Sequence, residues 1–268
     1  MDNRRTAVLD SLSDILKRAL AGTPAERMGR QAYRFLRRHA ATELLSERYD
    51  RLTVEIMHQC LSPDSNTVDA GCHNGTLLRH AIARAPLGQH FAFEPLPHLA
   101  TRLRAKFPGV QTYAVALSDG AGEATFHHVL SDEALSGLQR HAVVPADAEV
   151  RLLTVPTERL DAVLPPECPI AYIKIDVEGG EYPLLMGARQ TLARWRPIVI
   201  FECGTPVDTL TTTADMLALF TACGMAVWRL SDWLAGRPAL SLSAWITAFH
   251  AGEFYFLGAP SDSCRTRR

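Results

Sequence analysis

The chain has 268 residues, 47% hydrophobic and 21% charged, which suits one large α/β domain or two small ones and excludes a disordered chain. Its 28 Lys+Arg against 29 Asp+Glu leave a formal charge of −1, so no global field draws it onto nucleic acid or an anionic membrane. No apolar run approaches the roughly 20 residues of a membrane span, and the opening MDNRRTAVLDSL lacks the apolar core of a secretory signal, a pattern that reads as soluble and cytoplasmic.

Over 6–20, Val8, Leu9, Leu12, Ile15, Leu16 and Leu20 recur at helical spacing, and Pro24 sits near the first turn of a second helix from about Ala25. Nine basic against four acidic residues over 1–40 read as a solvated face, with an anionic partner as the sharper reading. A third helix is expected around Arg51 to Leu61, before Ser62-Pro63-Asp64. Short β-rich runs then alternate with helical segments: TVDA (67–70), HFAFE (90–94), VQTYAVA (110–116), IAYIKID (170–176), IVIFE (198–202), MAVWRL (225–230) and EFYFLG (253–258). Such alternation predicts a mostly parallel sheet with helices on both faces. EATFHHVL (123–130) and EVRLLTVP (149–156) have no good helix between them and read as an inserted antiparallel pair, with SDEALSGLQRH (131–141) as its loop. The cysteines Cys60, Cys72, Cys168, Cys203, Cys223 and Cys264 form no CxxC pair, so they read as reduced thiols and core filler rather than a disulfide framework or a cysteine-bound zinc. Lys17, Lys106 and Lys174, in an arginine-rich chain, carry no functional expectation.

The first strand runs into Asp69-Ala70-Gly71-Cys72-His73-Asn74-Gly75 and then the helix-like TLLRHAIARA. Glycines at this spacing let a ligand approach the main chain, and the helix start offers unpaired N–H groups, as in a nucleotide site. The spacing D-x-G-x-x-x-G is not the dinucleotide fingerprint. Nineteen residues after Gly75 comes Glu94 in FAFEP, where a carboxylate can accept both hydroxyls of a ribose. The strand YAVAL leads to Ser118-Asp119-Gly120, either a simple turn or the lining of an adenine ring. In YIKIDVEGGEYPLLMGA (172–188), Asp176, Glu178 and Glu181 enter a glycine-rich turn. Three carboxylates so close are costly unless they meet a cation, a hydroxyl or a proton in transit, although Glu178 and Glu181 could merely cap the next helix. IVIFECG ends in Glu202 at the equivalent place, so Asp176 and Glu202 should stand side by side.

Together VDAGCHNG, AFEP, AVALSD, LDAVL, YIKIDVEGGEYPLLMGA and IVIFECG, over about Tyr49 to Gly204, resemble the FkbM family of S-adenosylmethionine-dependent methyltransferases. The resemblance implies the class I methyltransferase (Rossmann-like) α/β fold, a seven-stranded mostly parallel sheet with the last strand antiparallel. It also implies O-methylation of a hydroxyl on a natural product, sugar or glycolipid. By similarity Asp69, Gly71, Asn74 and Gly75 would hold the methionine end of the cofactor, Glu94 with Pro95 the ribose, and Ala116, Leu117 and Ser118 the adenine surroundings. Asp176 would sit nearest the transferred methyl. Cys72 and His73 depart from the commonest family pattern. The expected organisation is an N-terminal helical extension over 1–48, a methyltransferase domain over 49–260 and a tail over 261–268.

Methyl transfer to an alcohol needs the acceptor oxygen held in line and its proton removed. Asp176, Glu178 and Glu202 are the catalytic candidates. Asp176 or Glu178 would act as base, or Asp176 and Glu202, with one of the histidines, would hold Mg²⁺. Among the histidines, His73 lies in the cofactor turn, and His127 and His128 point to opposite strand faces, so at most one looks inward. His250 is a weaker candidate. Trp233 and Trp245 are either core residues or an apolar wall for the acceptor. The expected partner is a small hydroxylated acceptor, with no nucleic acid, and the N-terminal helices would cap the crevice or form a homodimer seam. The competing readings are a methyltransferase of RNA or protein, disfavoured by the near-neutral charge and the absence of an Asn-Pro-Pro-Tyr type motif, and a non-catalytic subunit. No GxSxG or HExxH occurs, which removes the common hydrolase and zincin readings.

Overall fold

A computed structural model describes residues 45–140, 144, 145, 147–203 and 209–263; the helices expected over 6–20 and from Ala25, and Cys264, lie outside the described residues. The chain divides into two units between Arg51 and Leu52. Of the first, the described part is 45–51, which is helical and belongs to helix α1, described over 45–60. The second unit holds all the elements that follow.

Seven strands form the main sheet in the order β3-β2-β1-β7-β8-β10-β9. They are β1 (Asn66–Ala70), β2 (His90–Phe93), β3 (Gln111–Tyr113), β7 (Ile170–Ile175), β8 (Ile198–Glu202), β9 (Met225–Arg229) and β10 (Tyr255–Pro260). Strands β1, β2, β3, β7 and β8 pair in parallel, and β10 runs antiparallel to β8 and β9. This is the class I methyltransferase arrangement that the motifs imply. The central strands are legible because a sheet covered on both faces requires near-continuous apolar runs. In β2, Phe91 and Phe93 enter the main core, whereas Ala92 packs with Leu78 of α2 (Thr76–Arg84) and Leu103 of α3 (Pro97–Lys106). Against the Phe91/Phe93 side lie Leu184 and Leu185 of α5 (Glu181–Gly187), Leu192 of α6 (Arg189–Trp195) and Phe220 of α7 (Thr209–Ala222). Short helix α4 (Leu160–Val163) adds Leu160.

The expected antiparallel pair is present as β5 (Gly122–Val129) and β6 (Val150–Glu158), with Phe126 opposite Leu153. One boundary differs from expectation. VQTYAVA is not a single strand: β3 stops at Tyr113, and Ala116–Leu117 become β4, which pairs with β6 in a second, three-stranded sheet. Burial explains the break. Ala116 joins Leu96, Leu99, Phe126 and Val155 in a separate apolar cluster, which the segment reaches only by leaving the edge of the main sheet. Helices α8 (Leu230–Leu234) and α9 (Leu242–His250) lie between β9 and β10 in sequence. Their tryptophans are core residues rather than an acceptor wall: Trp233 and Trp245 are both buried, and Trp245 rests on Phe201 and Phe256 at 5.8 and 5.3 Å between ring centroids.

The order of strands reverses between β1 and β7, so the two loops leaving their carboxyl ends flank the crevice where ligands bind in open α/β sheets. There the main chains meet closely. Gly71 has φ +72°, and a Cβ on it would stand 1.7 Å from the carbonyl oxygen of Asp176. Gly71→Ala is therefore expected to lose at least about 2 kcal/mol of stability in urea denaturation. Gly109, with nothing within 4 Å of its would-be Cβ, should tolerate Ala within about 0.5 kcal/mol.

Candidate active site

After β1 the chain turns through Gly71, His73 and Gly75 with φ of +72°, +46° and +73°. Asn74 Oδ1 accepts the N–H of Thr76 at 3.0 Å, which supports the first turn of α2. The Lys106 ammonium donates to the Asn74 carbonyl at 2.8 Å. Glu94, buried at the end of β2, holds the turn from the other side: Oε2 accepts the N–H of His73 at 2.9 Å and Oε1 that of Leu96 at 3.0 Å. Burial raises its pKa against the pull of those two amides. Each oxygen keeps acceptor capacity beyond these bonds. Pro95 follows, half-buried.

The second loop leaves β7 through Asp176, Val177, Glu178 and Gly179. Glu178 has φ +55°, an uncommon conformation for a residue with a side chain. Among the described residues, the other left-handed non-glycines are His73 in the facing turn and Arg196 at the end of α6. Two of the three thus lie in the loops that flank the crevice, as expected where a scaffold holds backbone strain at a working site. Buried Glu181 secures the loop, since its Oε1 accepts the N–H groups of Val177 and Gly179 at 3.2 and 3.1 Å. Glu181 does not cap the helix that it begins, which has no side-chain cap; it secures the preceding loop instead.

Strand register brings the remaining acids together. Ile175 pairs with Phe201, and Glu202 with Tyr255, so Asp176, Glu202 and Tyr255 meet at one end of three neighbouring strands. One carboxylate oxygen each from Asp176, Glu178 and Glu202 lie within 4.8 Å of one another. The Tyr255 hydroxyl donates to Asp176 Oδ2 at 2.7 Å. The third member of this group is Glu178, not a histidine. His250 is exposed at the end of α9, and His128 instead faces His98 and Glu133.

The residue on which the site turns is Lys174, which carried no expectation. It sits on β7 opposite Asp69 of β1 and is buried. Its ammonium donates to the Gly71 carbonyl at 2.8 Å and lies 3.2 Å from Asp176 Oδ2 and 3.6 Å from Asp69 Oδ1. Burial favours a neutral amine, but Asp176 and Asp69 outweigh it and hold the pKa above its ordinary value. For Asp176, burial likewise works against ionisation, yet Lys174, Glu202 and Tyr255 bring its pKa below the usual range. A lysine inside the apolar run IAYIKID, two residues before an aspartate on the same strand face, was the available signal. Tyr255 had none, because it reaches Asp176 only through the pairing of β10 with β8.

Ala116 and Leu117, expected near an adenine ring, are buried and place their side chains in apolar clusters. The N–H of Ser118 donates to the Glu158 carbonyl.

With Asp176 ionised, its neighbours keep their protons. Burial, then the charges of Asp176 and Glu181, push Glu178 up to about 9. Burial pushes Glu181 up to about 7. Glu202 is raised by burial and by Asp176. The folded protein thus holds protons that the unfolded chain releases near pH 4.5, and stability gained below that pH is lost as pH rises through these folded values. In chelator-containing buffer, urea midpoints should fall between about pH 5 and about pH 9, and Glu178→Gln should flatten the fall. A variant curve parallel to the parent's would contradict this protonation scheme.

The model of the methyltransferase FkbM domain matches residues 69–226, more than half of the chain. The 2-O-methyltransferase NoeI of Sinorhizobium fredii is 31% identical over 155 residues, 50% of this chain and 61% of NoeI. The AMB antimetabolite synthetase AmbE of Pseudomonas aeruginosa is 31% identical over 94 residues, 34% of this chain and 4% of AmbE. The chain thus spans less than two thirds of either relative. Among solved structures, methyltransferase FkbM from Methylobacillus flagellatus superposes with a TM-score of 0.45 at 14% identity, over 74% of this chain and 44% of its own. The family match, the ordered motifs and the strand order agree: the chain belongs to the FkbM methyltransferase family.

Proposed function

We propose that this chain is an S-adenosylmethionine-dependent O-methyltransferase acting on a hydroxyl of a small molecule, with 49–260 as its methyltransferase domain. The observation that carries the proposal is the carboxylate of Asp176 beside the Gly71 turn, 3.2 Å from the Lys174 ammonium. That carboxylate is fixed by Lys174 and Tyr255, and its side chain remains 26% exposed. An acceptor hydroxyl that reaches Asp176 finds an acceptor for its hydrogen bond and, at transfer, for its proton.

The residues fit S-adenosylmethionine. Asp69 Oδ1 is buried and accepts no hydrogen bond, its ion pair with Lys174 being 3.6 Å long, so it keeps acceptor capacity for an ammonium donor such as that of the methionine moiety. Gly71 and Gly75, with Asn74 between them and the turn, would bind the same end. Glu94 has lone pairs left for a ribose diol next to Pro95. Ala116, Leu117 and Ser118 keep the adenine assignment with weaker support, since the first two side chains are already packed. When bound, the cofactor supplies an electrophilic methyl on a sulfonium sulfur. The protein holds Asp176 ionised, aligns it through Tyr255, and keeps protons on Glu178 and Glu202, so that a single carboxylate acts as the base.

A second reading follows from the close approach of Asp176, Glu178 and Glu202. These three would supply oxygen ligands for Mg²⁺, and a cation there would replace the protons that Glu178 and Glu202 hold. It would polarise the acceptor hydroxyl in place of direct deprotonation by Asp176.

Calorimetric titration should find S-adenosylmethionine and S-adenosylhomocysteine binding in the micromolar range and NAD not binding. Glu94→Gln should weaken S-adenosylmethionine at least about tenfold. With a hydroxylated acceptor in hand, Asp176→Asn should lower kcat by about a hundredfold or more while cofactor affinity changes little. No binding of either cofactor form, or an Asp176→Asn enzyme of full activity, would overturn the proposal. Exhaustive chelation separates the two readings: activity that survives it, without gain on adding Mg²⁺, leaves Asp176 as the base, and activity that only Mg²⁺ restores assigns the acids to the metal.

A further inference from the structure

A second cluster of ligating side chains lies outside the crevice just described. His98 projects from the first turns of α3, His128 from β5, and Glu133 from a short 3-10 helix (Glu133–Leu135) in the loop after β5. The Nε2 atoms of His98 and His128 stand 2.7 and 3.1 Å from the same oxygen, Oε1 of Glu133. The two rings approach to 5.9 Å between centroids, and one ligand atom from each of the three residues falls within 4.8 Å of the others.

We infer that His98, His128 and Glu133 form a binding site for a divalent transition metal, for which zinc is the natural match. Two imidazole nitrogens and one carboxylate oxygen make a borderline donor set that suits zinc and disfavours magnesium or calcium. Bonds of about 2.0–2.1 Å in a tetrahedron place ligand atoms about 3.3 Å apart, near the 2.7 and 3.1 Å that already separate the histidine nitrogens from Glu133. Only small side-chain rotations are needed, with each ring carrying its proton on Nδ1 so that Nε2 can bind. Solvent access is available through His98 and Glu133, whose side chains are 41% and 30% exposed, and it leaves a fourth position for water.

The supports of this cluster are already ordered. Phe126 shares the β5 face of His128 and packs with Leu96 and Leu99, which fixes that strand against α3. Asp132 Oδ1 accepts the N–H of Ala134, and Ser136 Oγ accepts that of Val129. These contacts set the side chains within reach of a common ion rather than leaving them on a free loop. The same loop then reaches the crevice: a Cβ on Gly137 would lie 2.6 Å from the Glu178 carbonyl oxygen. A metal held by His98, His128 and Glu133 would therefore tie the inserted loop, and through Gly137 the Glu178 turn, to the helix that follows Glu94. It plays no part in removing the acceptor's proton.

The test is calorimetric titration of the chelator-stripped, tag-free chain with Zn²⁺ alone. One equivalent should bind with a dissociation constant in the low micromolar range or tighter. His98→Ala and Glu133→Gln should each weaken it at least about tenfold, and Glu202→Gln, in the crevice, should leave it unchanged. His98 is exposed on a helix surface, so its variant should keep the parent's circular dichroism and report on binding alone. Absence of saturable Zn²⁺ binding, binding that both cluster variants leave intact, or binding that Glu202→Gln removes would each overturn the assignment.

Discussion

Lys174 is the only positive charge that touches both loops of the crevice among the described contacts, and it does so from a buried position on a central strand. Its ammonium reaches the Gly71 carbonyl, Asp69 and Asp176. A buried ammonium is costly without partners, and each of these carboxylates would be costly without it. The glycine turn after β1 and the carboxylate turn after β7 are thereby coupled through one side chain, and the close passage of Gly71 over the Asp176 carbonyl makes that coupling steric as well as electrostatic.

From this constraint the division of labour among the acids follows. One ammonium cannot neutralise Asp69, Asp176, Glu178, Glu181 and Glu202 together, so the cluster resolves its charge by protonation. Asp176, closest to Lys174 and served by Tyr255, stays ionised. Glu178 and Glu202 hold protons beside it, and Glu181 spends its acceptor capacity on the amides of its own loop. Environment thus separates chemically similar carboxyl groups into an ionised one, holders of protons and an anchor for a loop, the kind of separation by which a protein obtains different functions from the same side chain.

Much of this was legible in the sequence because it depends on local pattern. Strands buried on both faces read as apolar runs, so the central strands could be placed, and the edge strand β3 followed from its alternation with the helices. The ends of IAYIKID and IVIFE put Asp176 and Glu202 at equivalent positions, and their adjacency follows from strand order. The glycine turn and Glu94 announced themselves by spacing. What escaped depends on contacts between distant elements. The break in VQTYAVA is set by an apolar cluster of Leu96, Leu99, Phe126 and Val155, which no local window contains. Trp233 and Trp245 had amphipathic surroundings that suited a wall as well as a core. Tyr255 meets Asp176 across two strand pairings. The meeting of His98 with His128 and Glu133 requires α3 to dock on the inserted sheet, a contact that spacing does not encode.

The most direct test of the coupling is the pH dependence of stability in Lys174→Met. Removing the ammonium leaves Asp69 and Asp176 buried without compensation, a loss of about 3 kcal/mol or more near neutral pH. The folded pKa of Asp69, which burial already raises, should rise further and that of Asp176 should come to exceed its unfolded value, so the deficit relative to the parent should shrink on acidification toward pH 4, as protonation removes the unpaired charges. Urea unfolding of both proteins across this range measures the deficit. A large loss that narrows at low pH supports Lys174 as the charge that joins the two loops; a small loss, or one independent of pH, would contradict it.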